Sequence, residues 1–253
     1  MINNIYFKIV KNITIIITIT IITFSSLVSI YEKREKISDL LRFKFFDGYK
    51  KISADDYRVA HDIQKKGGYI LFFRHGHREK WIDVNMYDAY DATNNLKAEN
   101  EYYEYAVCLS DMGKIQAKMM GDNLKKINLP IEKVYSSPSC RARQTADLVF
   151  GGYNETKHVY LHFSYYENRD IFNKRLKKEL LRINVPENKN VIITGHNSVI
   201  SETLFDEFEK KPIFKLEEGG FYAFKKLNNK LIFIHKFNNF EHFSINWYPR
   251  PKD

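Results

Sequence analysis

Three short strand-like segments, the first and third of them continuous apolar runs, constrain the fold of this chain more than any other feature of its sequence. They are Tyr69-Ile-Leu-Phe-Phe73, Lys133-Val-Tyr-Ser136 and Asn190-Val-Ile-Ile-Thr194. Each is too short for a helix, and a continuous apolar run reads as a strand covered on both faces. Helical signals separate them. Ser110 caps a predicted helix to about Lys126, with Ile115, Met119 and Leu124 on one face. Ser137-Pro138 opens another, serine as cap and proline in the first turn. Residues 171–183 and a segment from about Asn197 are also predicted helical, while His158 to Phe163 alternates like a strand. Phe221–Leu227 and Leu231–Phe237 alternate around Asn228-Asn229, which predicts a hairpin. The expected fold is α/β, in three layers, with a mostly parallel sheet and a C-terminal antiparallel hairpin.

A chain of 253 residues has room for one such domain plus short appendages. With 44% hydrophobic and 15% aromatic residues, disorder as the main state is excluded. The formal net charge of +9 suits an anionic partner, whether a membrane surface, a nucleic acid or a phosphorylated substrate. Charge is the only argument for nucleic acid, since no recognisable module accompanies it, so none is expected. Cys108 and Cys140 are too few for a disulfide framework, and neither has metal-ligand spacing. Their pairing is not legible in the sequence.

Ile13 to Ile30 carries no charged residue and is flanked by Lys8 and Lys11 before it and Glu32-Lys33-Arg34 after it. Eighteen residues at helical rise just cross a hydrocarbon core of about 30 Å. A cleaved secretory signal shares this start, but Leu27-Val28-Ser29 puts a large residue where a small one is needed for cleavage. An uncleaved, single-pass membrane anchor is therefore expected. Basic residues after the span favour a cytoplasmic domain, whereas the signal-like start favours the opposite side, and both remain open. The expected organisation is a tail over 1–12, the anchor over 13–30 and a basic juxtamembrane stretch with a helix over 31–67. A catalytic domain over 68–240 and a tail over 241–253 complete it.

Each buried run leads straight into residues capable of chemistry: Arg74-His75-Gly76-His77, Ser137-Pro-Ser-Cys-Arg141 and Gly195-His196-Asn197-Ser198. Ligands of open α/β sheets bind beyond the carboxyl ends of the strands. If the three strands are parallel neighbours, two histidines and two arginines converge on one pocket. Guanidinium groups grip phosphate oxygens in pairs and stay charged at any working pH. Helices starting at Ser137 and Asn197 would aim backbone N–H groups at the same anion. A neutral imidazole is a competent nucleophile, and a second, protonated one would neutralise charge on the transferring group.

These segments resemble the histidine phosphatase superfamily, also called the phosphoglycerate mutase-like family. Phe73-Arg74-His75-Gly76 matches its Arg-His-Gly signature, Ser136 to Ala146 its second-arginine motif, and Ile193 to Ser198 its second-histidine motif. Leu109-Ser110-Asp111-Met112-Gly113-Lys114-Ile115-Gln116-Ala117 is similar to its helix start. The resemblance spans about residues 68–240, in order. It implies that His75 is the phosphorylated nucleophile and that Arg74, Arg141 and His196 form the phosphate pocket. Ser137 and Asn197 are secondary candidates for oxygen contacts. It also places a proton donor in a loop after the second arginine, where Glu167 stands; Asp83, Asp88 and Asp91 of the 79–106 loop are the alternatives.

The implied activity is phosphomonoester hydrolysis without a metal or organic cofactor, on a phosphorylated small molecule, glycan or protein. The anchored arrangement is similar to bacterial envelope phosphatases acting on lipopolysaccharide core sugars, and phosphohistidine-protein phosphatases are comparably similar. A phosphoglycerate mutase-like phosphotransferase and a catalytically weak membrane module binding anionic ligands are the alternatives. His77, two residues from His75, lacks the further ligands a metal pair would need. Arg78 and Arg143 read as surface charges, with Arg78 close enough to meet substrate. Cys140 reads as packing beside Arg141.

Overall fold

The computed structural model describes residues 54–79, 88, 104–161 and 168–244. The chain divides into two units, Met1–Ile52 and Ser53–Asp253, and every described residue belongs to the second. The expected anchor over 13–30 and the basic stretch over 31–52 lie outside the described residues. Among the described residues, no helix is long and apolar enough to cross a membrane.

The described elements are α1 (Ala54–Lys65), β1 (Ile70–Arg74), α2 (Glu104–Val107), α3 (Asp111–Lys126), β2 (Ile131–Ser136), α4 (Cys140–Phe150) and β3 (Glu155–Thr156). They continue through α5 (Arg169–Arg182), β4 (Asn190–Gly195), β5 (Glu207–Phe208), β6 (Phe221–Leu227), β7 (Lys230–Phe237) and α6 (Phe240–Ser244). The strands form one mixed sheet in the order β3-β2-β4-β1-β6-β7-β5. β3, β2, β4 and β1 run parallel to one another, β6 lies antiparallel to β1, and β6 and β7 form an antiparallel hairpin. Asn228 and Asn229 close that hairpin with φ of 49° and 61°, the left-handed pair of a tight two-residue turn.

Alternation along β1 splits the core in two. Leu71 and Phe73 pack into one cluster with α1, α3 and α4; Ile70 and Phe72 pack into the other, under α5. This covering of both faces is the arrangement expected from the continuous apolar runs. Helix α1 buries Val59, Ala60 and Ile63 in the first cluster, so it is part of the domain's core.

Four local expectations are corrected. The segment directly after β4 is not an α-helix: Val199 N donates to His196 O at 3.1 Å in a turn, and a 3-10 turn over Glu202–Leu204 comes next. The described part of the alternating segment from His158 to Phe163 is a 3-10 turn over His158–Tyr160 that buries Tyr160, and residues 162 and 163 lie outside the described residues. The helix after β2 starts at Cys140 behind Ser139, two residues later than Ser137 would have set it. On α3, Ile115 and Met119 are 57% and 61% exposed. The inward face instead carries Gly113, Ala117, Met120, Gly121 and Leu124. A Cβ at Gly113 would stand 2.0 Å from His77 O and one at Gly121 2.5 Å from Leu148 O, so close backbone approach selects the small-residue face.

Candidate active site

The register of the sheet builds the site. Arg74 of β1 pairs with Gly195 of β4, and Thr194 of β4 pairs with Ser136 of β2. The carboxyl ends of three adjacent parallel strands are therefore level. Backbone bonds extend the alignment one residue further: His75 N donates to Gly195 O at 3.0 Å and Ser137 N to Thr194 O at 2.8 Å. His75, Ser137 and His196 consequently emerge side by side.

His75 is 4% exposed, and its ring centroid lies 5.3 Å from that of His196. Its Nδ1 is 2.7 Å from the Gly76 carbonyl oxygen, which can only accept. Nδ1 therefore carries the proton in the neutral ring, and Nε2 keeps its lone pair. Burial holds this imidazole well below its ordinary range, with the Arg141 charge second and Arg74 and Arg78 adding to it. Gly76 is itself fixed, since its amide donates to Thr145 Oγ1 at 3.0 Å, and Thr145 donates to Arg141 O at 2.7 Å.

Arg141 and His196 meet directly. Arg141 Nη2 stands 3.2 Å from His196 Nδ1, and a guanidinium only donates, so Nδ1 accepts. The other nitrogen, Nε2, lies 3.0 Å from Ser137 Oγ and 3.1 Å from Ser139 Oγ. With Nδ1 accepting, the ring's proton is on Nε2 and faces the two hydroxyls. Arg141 also donates through Nη1 and Nη2 to the two carboxylate oxygens of Asp88, each at 2.6 Å.

Arg74 donates to Leu216 O at 2.5 Å and to Glu218 Oε1 at 3.3 Å. Burial pushes the pKa of its guanidinium below the ordinary value, and does the same to Arg78, on which Arg141 acts in the same direction while Asp88 and Glu218 oppose it. Asn197 turns its side-chain oxygen to the Leu216 amide at 2.7 Å, which secures the Leu216–Gly220 segment to the end of β4. Glu167, Asp83 and Asp91 lie outside the described residues. His77 Nδ1 contacts Ser110 Oγ at 2.7 Å, tying it to the cap of α3. Among the described residues, no three His, Cys, Asp or Glu side chains are grouped to hold a metal ion.

Two readings of single residues are revised. Arg143 is 4% exposed and donates to the Pro138 carbonyl, so it is a buried brace of the Ser137–Ser139 turn and not a surface charge. Cys140 forms a disulfide with Cys108, joining the segment before α3 to the first residue of α4. Glu218, Ser139, Thr145 and Gln116 were not singled out from the sequence. Ser139, Thr145 and Gln116 fall inside the quoted motifs. Glu218 precedes Gly219, whose φ of 79° and amide bonds to Arg74 O and His75 O bring the turn against β1. Only the Gly-Gly pair hinted at that approach.

Residues 70–160 match the family described as Histidine phosphatase superfamily (branch 1). No curated protein matches the chain in sequence. Among solved structures, the protein histidine phosphatase SixA complexed with tungstate is 16% identical, with 67% of this chain and 96% of that chain covered at a TM-score of 0.44. Phosphoserine phosphatase from Entamoeba histolytica with 3-phosphoglyceric acid is 15% identical, covering 69% and 98% at 0.45. Phosphoglycerate mutase from Bacillus anthracis str. Sterne is 15% identical, covering 73% and 99% at 0.48. At these identities and scores the likenesses assign no activity to this chain.

Proposed function

We propose that the domain, whose residues 70–160 match the histidine phosphatase superfamily (branch 1), hydrolyses phosphomonoesters through a phosphohistidine on His75. One observation carries the reading: a buried, neutral imidazole whose Nδ1 is committed to Gly76 O, so that Nε2 is held as the nucleophile. Nε2 attacks phosphorus, the P–O bond to the leaving group breaks, and the alkoxide takes a proton from a carboxyl group. Water then attacks the phosphorus of the N–P adduct and gives a proton to the carboxylate left by the first step, so that inorganic phosphate is released and the lone pair returns to Nε2. Arg141, Arg74 and the hydroxyls beside His196 supply positive charge and hydrogen bonds to the equatorial oxygens. Ser137 and Asn197 stay in the proposal as supports of that pocket. Glu167 is the proposed donor, with Asp83, Asp88 and Asp91 of the 79–106 loop and Glu218 as its competitors.

The proposed setting is a membrane, with residues 13–30 as a single-pass anchor. The Cys108–Cys140 disulfide favours an oxidising compartment for the domain, because such bonds are kept reduced in most cytosols. Of the two sides left open by the sequence, the disulfide supports the non-cytoplasmic one.

The test is a panel of phosphomonoesters assayed in the presence of EDTA, with wild type beside His75→Ala. Acid-labile, base-stable label trapped on His75 is the expected result. Label on a serine, or activity lost to chelator and restored by a divalent metal, would refute the mechanism.

A further inference from the structure

The guanidinium assigned to the phosphoryl group already holds an anion. Arg141 is 2% exposed and Asp88 is fully buried. Both terminal nitrogens of Arg141 donate to both oxygens of Asp88, at 2.6 Å each. This parallel pair of charge-assisted bonds is the geometry by which a guanidinium grips two oxygens of a phosphate. A carboxylate and a phosphoryl group present the same two-oxygen edge, so one Arg141 fork cannot hold both. Its remaining contacts, to Val107 O at 3.3 Å and His196 Nδ1 at 3.2 Å, fix the fork in place whichever anion fills it.

A buried cation without a partner is costly, so Arg141 requires a counter-ion whenever no phosphoryl group faces it. We propose that Asp88 is the resident counter-ion of the phosphate seat: it leaves Arg141 when a phosphoryl group binds and returns as inorganic phosphate departs. The proposal rests on Arg141 being the phosphate ligand of the reading above. Its consequence is that each binding event breaks one ion pair and each release remakes it. Affinity for inorganic phosphate, the product, is lowered accordingly.

The experiment is calorimetric titration of the full chain with inorganic phosphate, comparing wild type, Asp88→Asn and Arg141→Ala. Asp88→Asn keeps the volume and two polar atoms while removing the competing charge. It should bind phosphate about tenfold tighter, which corresponds to roughly 1.4 kcal/mol. A merely structural ion pair would leave affinity unchanged or weaken it, and either result overturns the proposal. Phosphate binding that survives intact in Arg141→Ala would instead show that Arg141 is not the phosphate ligand, and the proposal would fall with that reading. If Asp88→Asn does not fold, wild type answers by carbodiimide amidation of carboxyl groups mapped by mass spectrometry, with sulfate as the added anion. Asp88 should be protected alone and become reactive as sulfate is added; protection that persists or deepens overturns the exchange.

Discussion

Arg141 donates to Nδ1 of His196 at 3.2 Å, so the second-arginine and second-histidine segments are one hydrogen-bonded unit before any ligand arrives. The contact fixes the imidazole: with Nδ1 accepting, Nε2–H faces the hydroxyls of Ser137 and Ser139. An anion entering the site meets a guanidinium, an N–H donor and two hydroxyls whose orientations are already set. Once Asp88 has left Arg141, little further reorganisation remains for the reacting state to require.

Substitutions on α4 should separate chemistry from stability. Arg141→Ala is expected to lower kcat/KM by about a hundredfold or more, because a charge-assisted pair of bonds to the transferring group is lost. Arg143→Ala should lower the melting temperature, by about 1–3 kcal/mol in stability, since Pro138 O loses a buried donor. Activity assays and thermal melts on the two variants check this. A fully stable Arg143→Ala protein would show that the brace is dispensable.

Stability should fall on acidification in part because of His75. Burial and Arg141 hold its folded value well below the ordinary range. The unfolded chain protonates this ring as pH drops through about 6.5 while the folded chain does not. Protons then favour unfolding, so the His75 contribution is full above about 6.5 and declines below it. Melting temperatures measured from pH 8 to pH 5 should fall more steeply for wild type than for His75→Gln. Parallel slopes would place the protonation elsewhere.

The proton donor can be found by varying the leaving group. Glu167→Gln should slow hydrolysis of alkyl phosphates far more than that of p-nitrophenyl phosphate, whose leaving group needs little help. Glu218 is held 3.3 Å from Arg74. If Glu218→Gln shows the leaving-group dependence and Glu167→Gln does not, the donor is Glu218.

Reduction should weaken the domain and expose its compartment. Opening a bridge with a separation of 32 residues removes about 3–4 kcal/mol by chain-entropy reasoning, so Cys108→Ser should melt well below wild type. Thiol trapping in cells should find the pair oxidised, with the full chain in the membrane fraction after a high-salt wash, because an inserted helix does not depend on screened charge. Reduced thiols would return the domain to the cytoplasmic side, and release by salt would favour peripheral binding through the basic surface.

The sequence by itself determined the scaffold. Apolar runs at Tyr69–Phe73 and Asn190–Thr194 required strands covered on both faces, and paired asparagines at 228 and 229 required the hairpin turn. These are local signals: burial pattern and backbone preference are written in consecutive residues. The segments following the strands were legible for the same reason. Tertiary structure decided what those segments do to one another. Which face of α3 turns inward depended on a carbonyl of residue 77 approaching Gly113, and the burial of Arg143 on a turn beneath it. The pairing of Arg141 with Asp88 joins positions 53 residues apart, and that of Arg74 with Glu218 joins positions 144 apart. Charge pairing acts through space and carries no period along the chain, so only the folded arrangement could assign each arginine its carboxylate.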